Sequence, residues 1–160
     1  MNPLKRILLV EDSARDAELI LDALGTNQLA NEIVHVRDGA EALDYLYRRG
    51  QFADRSTDQP ALMLLDLKLP KVDGLEVLRQ IKSDDALKMI PVVMMTSSRQ
   101  EQDLLRSYQL GVNAYVVKPL KFQDFVEAVK QVGVFWAVIN EVPASVRGSE
   151  PVGAGLRERA

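Results

Sequence analysis

The sequence predicts an open α/β sheet with helices on both faces. Five short apolar runs alternate with amphipathic segments along the chain, an order typical of parallel strands that are joined by helices. Four of these runs are almost entirely apolar, as expected for strands that are covered on both faces. A length of 160 residues and a hydrophobic content of 47% suit one domain with a core of ordinary size.

The apolar runs are the five predicted strands. In chain order they are RILLV (6–10), EIVHV (32–36), ALMLL (61–65), PVVMMT (91–96) and AYVV (114–117). EIVHV alternates apolar and polar residues more than the others do, so we expect it nearer an edge of the sheet.

Periodicity and capping signals predict the helices between the strands. The first helix has apolar residues at i, i+3, i+4 and i+7 before a typical stop residue: Ala17, Ile20, Leu21, Leu24 and then Gly25. Three other segments open with an aspartate or serine three residues before a glutamate: Asp38 with Glu41, Asp73 with Glu76, and Ser98 with Glu101. The final helix has an apolar side that includes Phe125, Val129 and Trp136. Core packing explains that side most simply, and a dimer contact at Trp136 is the alternative.

Composition limits the classes of protein that fit. Residues 51–60 form a predicted polar loop, and the chain from about Pro143 is rich in Gly, Pro and charge, so we expect one domain over residues 1–140 and a disordered tail over 141–160. A net charge of −3 argues against a nucleic-acid surface. The absence of cysteine excludes disulfides and thiolate sites and is compatible with a cytoplasmic protein. No apolar run approaches the roughly 20 residues that cross a bilayer.

Reactive polar residues stand at the ends of four predicted strands. Glu11 and Asp12 follow the first, Asp66 follows the third, Thr96 ends the fourth and Lys118 follows the fifth. The carboxyl ends of parallel strands share one rim of the sheet, where such sheets bind ligands. The sequence therefore predicts three carboxylates, a hydroxyl and an ammonium at one site.

This set of groups favours phosphoryl transfer to a carboxylate. Clustered carboxylates raise one another's pKa unless a cation intervenes, and oxygen ligands alone suit Mg²⁺. The Lys118 ammonium and the Thr96 hydroxyl suit an incoming phosphoryl group. With Asp66 as the nucleophile, the product would be an aspartyl phosphate.

Each of these residues also has an ordinary explanation. Glu11 and Asp12 could favour the N-terminus of the next helix, Asp66 could belong to a turn, Thr96 could cap a helix, and Lys118 could be a surface lysine. The functional interpretation is favoured because the ordinary one needs unrelated coincidences at four strand ends.

Four motifs, VEDS, LLDLKLPKVDG, MMTSS and YVVKPL, resemble in order and spacing the signature of bacterial response-regulator receiver domains. The resemblance covers residues 5 to about 137. It implies a flavodoxin-like, doubly wound, five-stranded parallel sheet in the order 2-1-3-4-5. It also implies a cytoplasmic two-component protein that accepts a phosphoryl group from a histidine kinase and is not a turnover enzyme.

The resemblance further implies a role for each residue of the phosphorylation site. Asp66 would accept the phosphoryl group, with Mg²⁺ held by Glu11, Asp12, Asp66 and the backbone carbonyl of Lys68. Lys118 would pair with the phosphoryl group and would precede a cis peptide bond.

The resemblance implies a switch as well. Thr96 would bond a phosphoryl oxygen, and the hydroxyl would move together with the ring of Tyr115. This movement would alter the face made by the fourth helix, the fifth strand and the last helix.

The long loop before the third strand, the VFW near the end of the last helix and the lack of an output domain resemble one group of receivers in particular. These are the single-domain regulators that partner bacterial phytochrome kinases and tend to form homodimers through the switch face.

Two alternatives remain open. One is a receiver-like scaffold that binds partners without being phosphorylated, and the other is a phosphatase of the haloacid-dehalogenase type. Those phosphatases need a general acid two residues after the nucleophile, where this sequence has Lys68. A nucleotide or flavin module is disfavoured because no glycine-rich phosphate loop follows the first strand.

Overall fold

The computed structural model describes residues 6–26, 32–97, 100, 111–112 and 114–132. Within them lies a five-stranded sheet in the order β2-β1-β3-β4-β5, with every neighbouring pair parallel. The strands are β1 (Arg6–Val10), β2 (Glu32–Val36), β3 (Leu62–Asp66), β4 (Val92–Thr96) and β5 (Ala114–Val117). The predicted fold class and strand order are confirmed, as is the edge position of EIVHV.

Helices cover both faces of the sheet, as predicted. They are α1 (Ala14–Thr26), α2 (Gly39–Tyr47), α3 (Gly74–Lys82) and α4 (Phe122–Val132). The core between the sheet and helices α1 and α4 includes Ile7, Leu9 and Phe125, and the core between the sheet and helices α2 and α3 includes Leu8 and Val10. Successive strand residues therefore serve opposite cores, which is why the strands other than β2 carry almost no polar residue before their ends.

Three elements differ slightly in their bounds from the sequence prediction, and one of them, β4, begins at Val92 rather than at Pro91. Strand β3 is shifted by one residue, so that Asp66 is its last residue and pairs with Met95. Its polar side chain had suggested a position beyond the strand, but the backbone ladder continues through it. Helix α1 continues through Gly25 to Thr26.

Two of the three predicted capping signals are confirmed. The side chain of Asp38 accepts from the Glu41 N–H at 2.7 Å, and that of Asp73 accepts from the Glu76 N–H at 2.9 Å. The Ser98–Glu101 signal, the helix predicted between β4 and β5 that this signal would open, Trp136, the domain boundary near residue 140 and the tail lie outside the described residues. Among the helices that are described, none combines the length and the apolar character needed to span a membrane.

Arg55 organises the predicted polar loop. Its guanidinium donates to the backbone carbonyls of Tyr45, Ser56 and Asp58 at 2.7, 2.8 and 2.9 Å, and it lies 4.0 Å from the centre of the Tyr45 ring. A planar guanidinium can stack and make several directed hydrogen bonds at once. The loop that leads into β3 is therefore fastened to the C-terminal end of α2.

Candidate functional site

Three carboxylates meet at the C-terminal rim of the sheet. Val10 pairs with Leu65, so the next residues, Glu11 and Asp66, lie side by side at the ends of neighbouring strands. Asp12 directly follows Glu11. One carboxylate oxygen of each residue lies within 4.8 Å of those of the other two. The side chain of Glu11 is fully buried and that of Asp66 is 8% exposed, whereas Asp12 is exposed to solvent. Buried carboxylates this close together require a positive charge beside them.

Lys118, the residue that follows β5, supplies a positive charge. Its Nζ lies 2.8 Å from Glu11 Oε1, 3.2 Å from Asp66 Oδ1 and 3.2 Å from Asp16 Oδ2. Its backbone N–H donates to the Thr96 carbonyl at 2.8 Å, and its peptide bond to Pro119 is cis, as the resemblance implied. Burial disfavours its charged form, but the bond to Glu11 and the charges of Asp66 and Glu11 outweigh burial and raise the Lys118 pKa. The amine therefore stays protonated.

The carboxyl group of Asp66 has an altered acidity. Burial is the largest cause, the charge of Glu11 adds to it, and the ammonium of Lys118 opposes both, with the net result that the pKa of Asp66 rises from 3.8 to about 7. A carboxyl group that remains partly protonated near neutral pH is typical of functional sites. More positive charge beside Asp66 would favour its ionised form.

This raised pKa gives the metal-free protein a pH-dependent stability. Between pH 3.8 and about 7 the folded chain binds a proton at Asp66 that the unfolded chain has lost. Asp66 therefore stabilises the folded chain most at a pH below 3.8, the pKa of this group in the unfolded chain. The free energy of unfolding falls as the pH rises from there through about 7, where this contribution is lost.

Denaturant unfolding of the wild type and of Asp66→Asn, both in chelator from pH 4 to 8, measures this effect. The variant should become more stable relative to the wild type as the pH rises. Stability profiles that run parallel across this range would contradict the prediction.

Glu11 is held by its backbone as well as its side chain. Its N–H donates to the Val36 carbonyl at 3.0 Å, and its carbonyl accepts from His35 Nε2 at 2.9 Å, so that this ring nitrogen carries the hydrogen. Its Oε2 accepts from the Ser13 N–H at 3.1 Å. These bonds fix the peptide between Glu11 and Asp12, and with it the direction in which Asp12 leaves the strand.

Two glycines fix the loop that follows Asp66. The Gly74 N–H donates to the Leu67 carbonyl at 2.9 Å, and a Cβ on Gly74 would clash with the Asp66 carbonyl oxygen. A Cβ on Gly39 would lie only 2.7 Å from the Val72 carbonyl carbon. The first residues of α2 and α3 therefore pack directly on the backbone of this loop, in which Lys68 is exposed.

Thr96 and Tyr115 lie on the two strands beyond Asp66. Thr96 is fully buried at the end of β4, and Tyr115 is half-buried on β5, packed against the core on the α2–α3 side. Tyr115 pairs with Met94, two residues before Thr96, so both side chains project from the same face of the sheet.

Sequence reasoning missed two contributors. One is Asp16, which lies in the first turn of α1 and contacts Lys118. Its position at the start of the helix that follows Glu11 and Asp12 was the signal in the sequence that could have indicated it. The other is His35 on β2, whose ring bonds the Glu11 carbonyl. No pattern in the sequence indicates that bond, because it depends on the register between β1 and β2.

The donor set fits a hard divalent cation. Glu11, Asp12 and Asp66 offer only oxygen atoms, two of the residues are buried, and Asp12 faces solvent, where bound water would complete the coordination. The Lys118 ammonium contacts Glu11, Asp66 and Asp16, so one positive charge faces three carboxyl groups. These carboxylates can therefore hold a divalent metal ion.

Comparisons with known proteins agree with this geometry. The structure of the bacteriophytochrome response regulator AtBRR is 61% identical in sequence, with a TM-score of 0.83, and covers 88% of this chain and 100% of its own. Response regulator Rcp1 of Synechocystis sp. PCC 6803 is 42% identical over 144 residues, which are 90% of this chain and 97% of Rcp1. A crystal structure of Rcp1 in a Mn²⁺-bound form has a TM-score of 0.67.

A third relative is known in a modified form. The phosphorylated cyanobacterial phytochrome response regulator RcpA is 44% identical, with a TM-score of 0.69, over 89% of this chain and 100% of its own. The family model for the response regulator receiver domain matches residues 7–130. The chain therefore belongs to the response-regulator receiver family.

Proposed function

We propose that this receiver takes a phosphoryl group onto Asp66 from a histidine kinase. The observation that carries the proposal is the Lys118 ammonium, which lies 2.8 Å from the buried Glu11 and 3.2 Å from Asp66. A carboxylate nucleophile with a fixed cation beside it is suited to an electrophile that brings negatively charged oxygens.

The reaction uses these groups as follows. An Asp66 oxygen attacks the phosphorus atom of a phosphohistidine, forming a P–O bond while the P–N bond breaks. Lys118 pairs with a phosphoryl oxygen, and the Thr96 hydroxyl donates to another. Glu11, Asp12, Asp66 and the Lys68 carbonyl would hold Mg²⁺, which when bound supplies further positive charge to the transferred group. Asp66 is consumed as the acceptor, so the protein is a phosphorylated signalling component and not a turnover enzyme.

The proposed switch joins Thr96 to Tyr115. Both project from one face of the sheet, and the ring of Tyr115 is half-buried. The ring would change its rotamer when the Thr96 hydroxyl is drawn toward a phosphoryl oxygen. Val117, which is 38% exposed at the end of β5, extends this face with apolar surface. Phosphorylation would therefore change the surface around β5.

Incubation with a small phosphodonor and Mg²⁺, followed by intact mass measurement, tests the proposal. We expect the wild type to gain one phosphoryl group and Asp66→Asn to gain none. Asp73→Asn, which keeps the side-chain oxygen that caps α3, is the control and should be phosphorylated normally. A wild type that gains no mass with several donors would instead favour the non-phosphorylated scaffold.

The partners proposed for this chain follow from its relatives. AtBRR and RcpA are named as regulators of phytochrome systems, so we propose a bacterial phytochrome histidine kinase as the donor, with the exchange in the cytoplasm. Nothing in the described residues favours the haloacid-dehalogenase alternative, because Lys68 occupies the position of the required general acid.

A homodimer through the β5 face is the further proposed assembly. The exposed Val117 supports it. Sedimentation at several concentrations, with and without a phosphoryl mimic, should show a dimer that Val117→Asp weakens. Leu19→Asp on α1, also at an exposed apolar residue, is the control. A wild-type monomer in both states would contradict the assembly.

A further inference from the structure

Asp16 differs from the other carboxylates that hold Lys118. It lies on α1 rather than at a strand end, its side chain is 39% exposed, and it is not one of the three residues whose oxygens cluster for a metal ion. Its backbone N–H donates a hydrogen bond to the Ser13 hydroxyl oxygen at 3.2 Å. Its carboxylate lies in the first turn of α1, near the positive end of the helix dipole.

Lys118 and a divalent cation compete for the same residues. The ammonium lies against Glu11 Oε1 and Asp66 Oδ1, and both residues belong to the cluster that fits the metal. Two cations that share these carboxylates repel each other, and the site is too buried for water to screen that repulsion fully. Lys118 therefore needs another anion when a metal ion binds.

Resting on the proposed metal site, we propose that Asp16 is a positioning residue that retains the Lys118 ammonium when a divalent cation binds. The Lys118 ammonium donates a hydrogen bond to Asp16 Oδ2 at 3.2 Å. The flexible stem of Lys118 lets the ammonium shift toward Asp16 while it stays at the rim. Asp16 thus lowers the cost of metal binding and keeps Lys118 ready for the phosphoryl group.

Calorimetric titration with Mg²⁺ tests the proposal without using phosphorylation. We expect Asp16→Asn to raise the dissociation constant for Mg²⁺ about threefold, the size expected for one partly exposed charge pair. Asp16→Glu should restore most of the affinity. Glu18→Gln removes a charge from the same helix at an exposed residue and should change the affinity less.

The same substitutions in a Lys118→Met background separate positioning from simple attraction of Mg²⁺ by a nearby carboxylate. If Asp16 acts through Lys118, Asp16→Asn should weaken binding less in this background than in the wild type. An equal or larger effect would overturn the proposal. Far-ultraviolet circular dichroism checks that Lys118→Met is folded; if it is not, an Asp16→Asn effect no larger than that of Glu18→Gln overturns the proposal instead.

The titration also separates this inference from the proposed function. A wild type that binds no Mg²⁺ would overturn both the metal site and the role of Asp16. A wild type that binds Mg²⁺ with the same affinity as Asp16→Asn would overturn the role of Asp16 alone.

Discussion

Replacing Lys118 by alanine should lower the free energy of unfolding of the metal-free protein by about 3–5 kcal/mol, the usual cost of removing one partner from a buried ion pair. The substitution leaves the fully buried carboxylate of Glu11 without the ammonium that lies 2.8 Å away. Phosphoryl uptake at Asp66 should fall strongly as well, because no cation at this position would meet the incoming oxygens. Denaturant unfolding in chelator and intact mass after incubation with a phosphodonor measure the two effects.

A matched set of variants identifies the cause of this instability. Lys121→Ala removes a nearby exposed lysine and should change stability little. Adding Glu11→Gln to Lys118→Ala should recover part of the lost stability, because the buried charge is then gone. If the double variant is less stable than Lys118→Ala, an uncompensated charge is not the cause.

Gly74→Ala should lower the free energy of unfolding about as much as Lys118→Ala does, for a steric reason. Its Cβ would clash with the Asp66 carbonyl oxygen and would lie 2.8 Å from the Leu67 carbonyl oxygen. Backbone cannot move aside as the end of a flexible side chain can, so we expect a loss of about 3 kcal/mol or more. Any relaxation displaces Asp66 itself, and phosphoryl uptake should fall with stability.

Gly50→Ala is the control for the loss of glycine. Gly50 has a φ of 55°, but a Cβ there meets only the Asp44 carboxylate at 3.7 Å. The free energy of unfolding should fall only by the cost of holding alanine in the left-handed conformation, about 1–2 kcal/mol. Phosphoryl uptake should be normal. A Gly74→Ala protein as stable and as active as Gly50→Ala would show that the loop after Asp66 can yield.

The fold could be predicted from the sequence because the local signals agree with the global structure. Residues of both cores alternate within each strand, so the strands appear as short apolar runs, and the aspartates at 38 and 73 cap helices as their spacing predicted. The polar ends of the first, third and fifth strands likewise indicated four residues that lie together at the rim: Glu11, Asp12, Asp66 and Lys118.

The parts of the site that were missed depend on register and on side-chain reach. The bond from His35 to the Glu11 carbonyl requires β1 and β2 to be paired with Leu9 opposite His35. The contact of Asp16 with Lys118 spans 102 residues of sequence and depends on where α1 begins. Neither relation leaves a pattern within a short stretch of the chain.

The two crowded glycines bear on how a signal can leave this protein. On one side of Asp66, the chain from Leu67 to Asp73 is wedged beneath the starts of α2 and α3, where not even a methyl group fits. This loop therefore has little space in which to move. We therefore expect an added phosphoryl group to displace the other side of the site, across β4 into β5, more than this loop.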